Sequence, residues 1–155
     1  MSLPDATNAV LIERIYAAPL ERLWQVITDP RHLPQWMCAP ADEGCGGQPI
    51  VWDFRVGGAI RIPMKGSFGE TAEFGTFLEI EAPTRLVYTF RWENDVPHAL
   101  GETRVTFTLE AISETSTLLK LEHRGFTSHE EVESHTWGWG IALEALPPVL
   151  ATATA

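Results

Sequence analysis

Two hydrophobic rhythms alternate along this chain. Residues 9–16, AVLIERIY, are apolar and β-branched enough for a first strand. In AAPLERLWQVITDP the apolar positions Leu20, Leu23, Trp24 and Ile27 recur at helical spacing. Pro19 suits a first helical turn, and Asp29-Pro30 closes the helix. PRHLPQWM predicts one further short helix with Leu33, Trp36 and Met37 inward, and residues 38–49 read as loop.

From residue 50 the period becomes two. IVWDFRV (50–56) puts Trp52 and Phe54 on one side, and Gly57-Gly58 marks a turn. AIRIPM (59–64) gives Ile60, Ile62 and Met64 a common face. TAEFGTFLEIEA (71–82) alternates with Phe74, Thr76, Leu78 and Ile80 inward and Glu73, Glu79 and Glu81 outward. RLVYTFRW (85–92) presents Leu86, Tyr88, Phe90 and Trp92, and TRVTFTLEAI (103–112) presents Val105, Phe107 and Leu109. TLLKLEHRGF (117–126) points Leu119, Leu121 and His123 inward. Short turns between these strands favour antiparallel pairing, with one buried and one wetter face. The order is strand, two helices, six strands and a long helix. It predicts a single α+β domain with helices on one face of an antiparallel sheet.

After Ser128, an N-cap with Glu131 as its capping-box partner, the period returns to helical. Val132, His135 or Thr136, Trp139, Leu143 and Leu146 form a stripe, and its Trp139 side should face the sheet. Gly138 and Gly140 flank it, which suits close approach of the helix backbone to a neighbour. Trp137 and Ile141 lie almost opposite. They need another cover, either the 98–102 loop or a second copy of the chain in a homodimer. Pro147-Pro148 predicts that the helix ends or kinks there.

Composition narrows the function. With 155 residues the chain is long enough for a sizeable core, and no apolar run reaches membrane-spanning length. The opening MSLPDATNAV lacks a basic stretch and a long apolar core, so a cytoplasmic protein is expected. A net charge of −10 without any basic stripe argues against nucleic acid and anionic membranes. Cys38 and Cys45, with His32, Asp42 and Glu43 nearby, fit no common zinc spacing and read as loop thiols. No metal and no cofactor is implied.

The ordered pieces APLERLWQVITDPRHLPQW, DFRVGG, GTFLEIEAPTRLVYT, LEHRGF and HTWGWGIALEAL carry a resemblance. They run from about residue 9 to residue 146. The chain resembles START-like, or SRPBCC, helix-grip domains. More narrowly, it is similar to the bacterial group named after the activator of the ninety-kilodalton heat-shock protein ATPase. The resemblance implies a curved sheet of about seven strands wrapped around a long C-terminal helix, with a cavity between them for hydrophobic ligands. Some such proteins are polyketide cyclases or aromatases, and one branch assists a chaperone. Pro147-Pro148 departs from the pattern, since relatives usually continue the helix.

A candidate ligand site follows from the inward aromatics together with the resemblance. It comprises Trp36, Trp52, Phe54, Met64, Phe74, Tyr88, Phe90, Trp92, Phe107, His123, Trp139 and Leu143. The leading expectation is a non-enzymatic protein holding a small hydrophobic molecule. Tyr88 and His123 orient that molecule, and Arg14 clamps a carboxylate or enolate. Taken alone, His123 reads first as a core histidine bonded to a neighbour, and Arg14 has a second reading as an ion-pair partner at the strand end. His98 and His135 are expected at the surface, near the mouth. No nucleophile beside a base and no facing carboxylates are found. An enzymatic alternative, a cyclase or aromatase, would rest on His123, Tyr88 and Arg14. A third expectation is a chaperone as partner, met through the acidic outer surface.

Overall fold

The computed structural model describes residues 8–37, 49–66, 69–93 and 102–152. Cys38, Cys45, Asp42, Glu43, His98 and most of the 98–102 loop lie outside the described residues. Strand β1 (Ala9–Tyr16) is followed by helices α1 (Leu20–Thr28) and α2 (Leu33–Trp36). Strands β2 (Val51–Trp52), β3 (Ala59–Gly66), β4 (Gly69–Glu81), β5 (Arg85–Trp92), β6 (Thr103–Ser113) and β7 (Ser116–Arg124) come next. Helices α3 (His129–Glu144) and α4 (Leu146–Thr152) end the described chain.

The strands form one sheet in the order β1-β7-β6-β5-β4-β3-β2, and every pairing is antiparallel. Consecutive strands from β2 to β7 are neighbours, so the meander ends beside β1. The α1–α2 segment therefore leads from one sheet edge to the other. The expected α+β architecture holds, with one difference. The long C-terminal helix is two helices, α3 and α4, that meet at Ala145. Pro147 and Pro148 fall in the first turn of α4, where their missing N–H groups have no helical partner to lose. The prolines thus begin a helix, and the break precedes them.

Side-chain bonds lock the layers together. Tyr16 Oη donates to the Leu143 carbonyl (2.8 Å), tying β1 to the last turn of α3. Thr117 Oγ1 donates to Ala18 O (2.7 Å), and Trp52 Nε1 donates to Thr28 O (2.9 Å). Ser128 caps α3 as expected, its hydroxyl accepting from Glu131 N while the Glu131 carboxylate accepts from Ser128 N.

Three expectations about local geometry are corrected. First, the inward face of β4 changes parity. The β4–β5 register shifts between Phe77 and Glu79, a bulge that moves the pattern by one residue. Beyond it Ile80 lies opposite the inward Leu86, as the alternation predicted. Before it, Phe77 lies opposite Tyr88 and Glu73 opposite Trp92, so Glu73 and Phe77 face the interior. Phe74 faces outward, beneath the guanidinium groups of Arg91 (5.1 Å) and Arg61 (5.9 Å). Second, β2 stops at Trp52 because Gly58 N and Arg55 N bond back to Arg55 O and Asp53 O in a tight turn. Gly57 adopts φ 86°, and a Cβ on Gly58 would stand 1.8 Å from Asp53 O. This turn has a strict need for glycine. Third, a Cβ on Gly138 or Gly140 would meet nothing within 4 Å. Those two glycines do not serve close helix packing.

Candidate functional site

The interior lies between the inward sheet face and the four helices. Its floor is aromatic because β-strand alternation places Phe77, Tyr88, Phe90 and Phe107 on one side of adjacent strands. Phe77 and Tyr88 meet edge to face at 6.2 Å, and Tyr88 and Phe107 lie 6.4 Å apart. Helix α2 lowers Trp36 onto Phe107 edge to face at 6.2 Å, and α3 brings Trp139 to within 5.7 Å of the same ring. Toward β2, Trp52 packs against Phe77 at 4.9 Å. Phe54, outside the strand and 37% exposed, stacks on Trp52 at 6.1 Å and covers the edge of this cluster. Met64, Trp139 and Leu143 are buried, and Trp92 is half-buried.

Two tryptophan–histidine bonds join α3 to the sheet in opposite directions. Trp139 Nε1 on the helix donates to His123 Nδ1 on β7 (3.0 Å). Because Nδ1 accepts, the His123 proton sits on Nε2, which donates to Thr103 Oγ1 (2.7 Å). Thr103 Oγ1 in turn donates to Phe90 O (2.8 Å). In the reverse sense, Trp92 Nε1 on the sheet donates to His135 Nε2 on the helix (2.9 Å). His135 Nδ1 then donates to Glu131 O (2.7 Å). Burial, and then neighbouring His135, hold the His123 pKa well below its ordinary value. His123 is therefore a neutral core histidine with both nitrogens engaged. His135 is half-buried in the clamp and is not a solvated residue at a mouth.

Arg14 shares the parity of Val10 and Ile12, but its side chain reaches solvent and donates to Glu13 O (3.1 Å). It is not brought to Tyr88 or His123. Strand parity alone cannot place so long a side chain near a strand end.

A different polar set emerges on the inside. Trp36 Nε1, Tyr88 Oη and Glu73 Oε1 are each buried with no hydrogen-bond partner among the described residues, as is Nδ1 of the half-buried His32 ahead of α2. Trp36 is 0% exposed, Tyr88 1% and Glu73 5%. Burial alone pushes the Glu73 carboxyl up to about 8, so it is mostly protonated at neutral pH. Burial, and then Glu73, hold the Tyr88 hydroxyl in its neutral form. Each orphaned group costs about 1–3 kcal/mol against a satisfied one. Glu73 escaped the sequence reading because alternation counted from Phe74 sends it outward. Two signals could have found it: Gly75 in the strand interior, and the adjacent pair Phe77-Leu78, which cannot both face inward without a bulge. Among the described residues no cluster of metal-ligating side chains is present. No helix of the described chain is long and apolar enough to cross a membrane.

The profile of the family described as Activator of Hsp90 ATPase homolog 1-like protein matches residues 17–151. The chain belongs to this family. Among solved structures it is similar to a protein from Chromobacterium violaceum, with 26% identity and a TM-score of 0.78 over 94% of this chain and 99% of the other. It is also similar to the AHSA1 protein from Silicibacter pomeroyi, with 25% identity and a TM-score of 0.78 over 92% and 97%. A protein from Arthrobacter aurescens matches with 26% identity and a TM-score of 0.75 over 96% and 88%. No curated protein matches. These likenesses agree with the helix-grip architecture built above.

Proposed function

We propose that this family member binds a small, largely apolar molecule between the inward sheet face and the helices. The observation that carries the reading is that, of the buried, unpartnered side-chain atoms, three belong to buried residues of the interior: Trp36 Nε1, Glu73 Oε1 and Tyr88 Oη. Buried polar groups in native proteins are almost always satisfied, so three orphans set into an aromatic interior call for a partner from outside the chain. An apolar surround with a few fixed polar groups is the usual composition of a ligand site. Phe77, Phe90, Phe107, Trp139 and Leu143 would supply contact area, and Trp36 and Tyr88 would fix orientation.

Native mass spectrometry after incubation with a cell extract tests this. The expected result is a reproducible added mass, lost on denaturation, and weakened in a Trp36→Phe/Tyr88→Phe double variant that stays folded. A clean apo mass under all loading conditions would overturn the reading. Proton-transfer chemistry of the cyclase type would have to rest on Glu73 and Tyr88, since His123 is fully engaged and Arg14 lies outside. Action on a chaperone ATPase, suggested by the family's name, would use the outer surface. Stimulation of the host chaperone's ATPase by this protein is its separate test.

A further inference from the structure

The charge of the expected ligand can be read from what the interior lacks. Among the described residues, the buried polar or charged side chains are Thr28, Glu73, Thr89, Thr103, Thr117 and His123. The threonine hydroxyls of Thr28, Thr103 and Thr117 already donate to backbone carbonyls, and Thr89 Oγ1 accepts from Thr76 N. His123 has both nitrogens engaged. The described interior therefore offers one acid and no buried lysine or arginine. Arg61 and Arg91 meet Phe74 on the opposite face of the sheet. A fatty-acid or phosphate headgroup brought inside would meet Glu73 and find no positive partner.

The surroundings of Glu73 suit the opposite charge. Trp92 lies directly across on β5 and Ile62 across on β3. Tyr88, also unpartnered, is near enough for its ionisation to be opposed by Glu73. From α3, His135 holds Trp92 in place and is neutral when it accepts that bond. A carboxylate with an indole and a phenol for neighbours is the chemistry that recognises an ammonium group, through an ion pair and cation–π attraction. The chain's net charge of −10 also favours cations at its surface over anions.

Resting on the binding reading above, we propose that the interior takes an apolar molecule bearing a basic amine, with Glu73 as its counter-ion. The exchange balances simply. An ammonium ligand enters, the protonated Glu73 carboxyl releases one proton to solvent, and the ion pair remains. At neutral pH, binding therefore liberates up to one proton per ligand.

The test uses phenylbutylamine, phenylbutanol and phenylbutyrate, which share a skeleton and differ in the polar end. Titration calorimetry in phosphate and in Tris at pH 7 gives affinity and, from the difference in heats, proton release. The amine is expected to bind about tenfold tighter than the alcohol, as a charged hydrogen bond implies, with the carboxylate weakest. Glu73→Gln should erase the amine's preference over the alcohol and its proton release, whatever the change in alcohol affinity itself. Equal or tighter binding of the alcohol in the native chain overturns the inference and leaves the binding reading standing. So does an amine preference that survives in Glu73→Gln. No binding by any of the three probes counts against the binding reading itself and removes the inference with it.

Discussion

Replacing Glu73 by Gln should stabilise this protein, and by an amount that grows with pH. The substitution keeps the side chain's size and removes its charge. In the folded chain, burial raises the Glu73 pKa from 4.5 to about 8. The sign follows from proton counts. Between pH 4.5 and 8 the unfolded carboxyl has lost its proton while the folded one keeps it. Folding then takes up a proton, and stability falls as pH rises, by about 1.4 kcal/mol per pH unit. Below pH 4.5 both states are protonated and the penalty vanishes. Above pH 8 both are ionised and the penalty is constant. The Gln variant carries no such penalty. Its advantage should be near zero at pH 4.5, about 3 kcal/mol at pH 7 and about 4–5 kcal/mol above pH 8.

The assay is urea unfolding of both proteins from pH 4.5 to 9, after unfolding and refolding to strip bound molecules. The difference between the two curves is the useful quantity, because all other titrating groups cancel in it. His123 illustrates the need. Its folded pKa is depressed, so its contribution is present above the unfolded value near 6.5 and fades as pH falls below it. Between pH 4.5 and 6.5 that fading opposes the Glu73 effect, and the native protein alone could show a flat profile. A Glu73→Gln advantage that does not change with pH would refute the reasoning. It would mean that the folded carboxyl is ionised and has a partner.

Four further outcomes are expected. Trp139→Phe removes the donor to His123 Nδ1 and should cost about 1–3 kcal/mol in urea unfolding; no loss would show that this bond does not hold α3 down. Gly138→Ala should raise stability by about 0.5–1 kcal/mol, since the added methyl meets open space. Gly58→Ala should instead lower stability by at least about 1–3 kcal/mol, because its Cβ would strike Asp53 O; equal effects at the two sites would contradict this geometry. A homodimer through Trp137, 73% exposed, and half-buried Ile141 predicts twice the 17.2 kDa chain mass in sedimentation, halved by Trp137→Ser; a native monomer at every concentration refutes it.

The architecture was legible because it rests on period. Helical spacing in APLERLWQVIT, alternation in RLVYTFRW and TRVTFTLEAI, and the capping box at Ser128 each carry a local physical cause that the tertiary structure did not override. What the sequence hid were departures from period. One bulge in β4 exchanged Phe74 for Phe77 and turned Glu73 inward. The partners of the inward polar groups were also invisible, because they come from elements far apart in the chain: His123 finds Thr103 and Trp139, and Trp92 finds His135. The two histidines and the missed glutamate therefore differ in kind. The histidines obey the rule that buried polar groups find partners, and the chain supplies those partners. Glu73 breaks that rule among the described residues, as do Trp36 and Tyr88. A sequence that satisfies His123 and its buried threonines and leaves Trp36, Glu73 and Tyr88 open departs from local consistency where function is usually found. That contrast within a single core, more than the aromatic content of the interior, is the argument for a ligand.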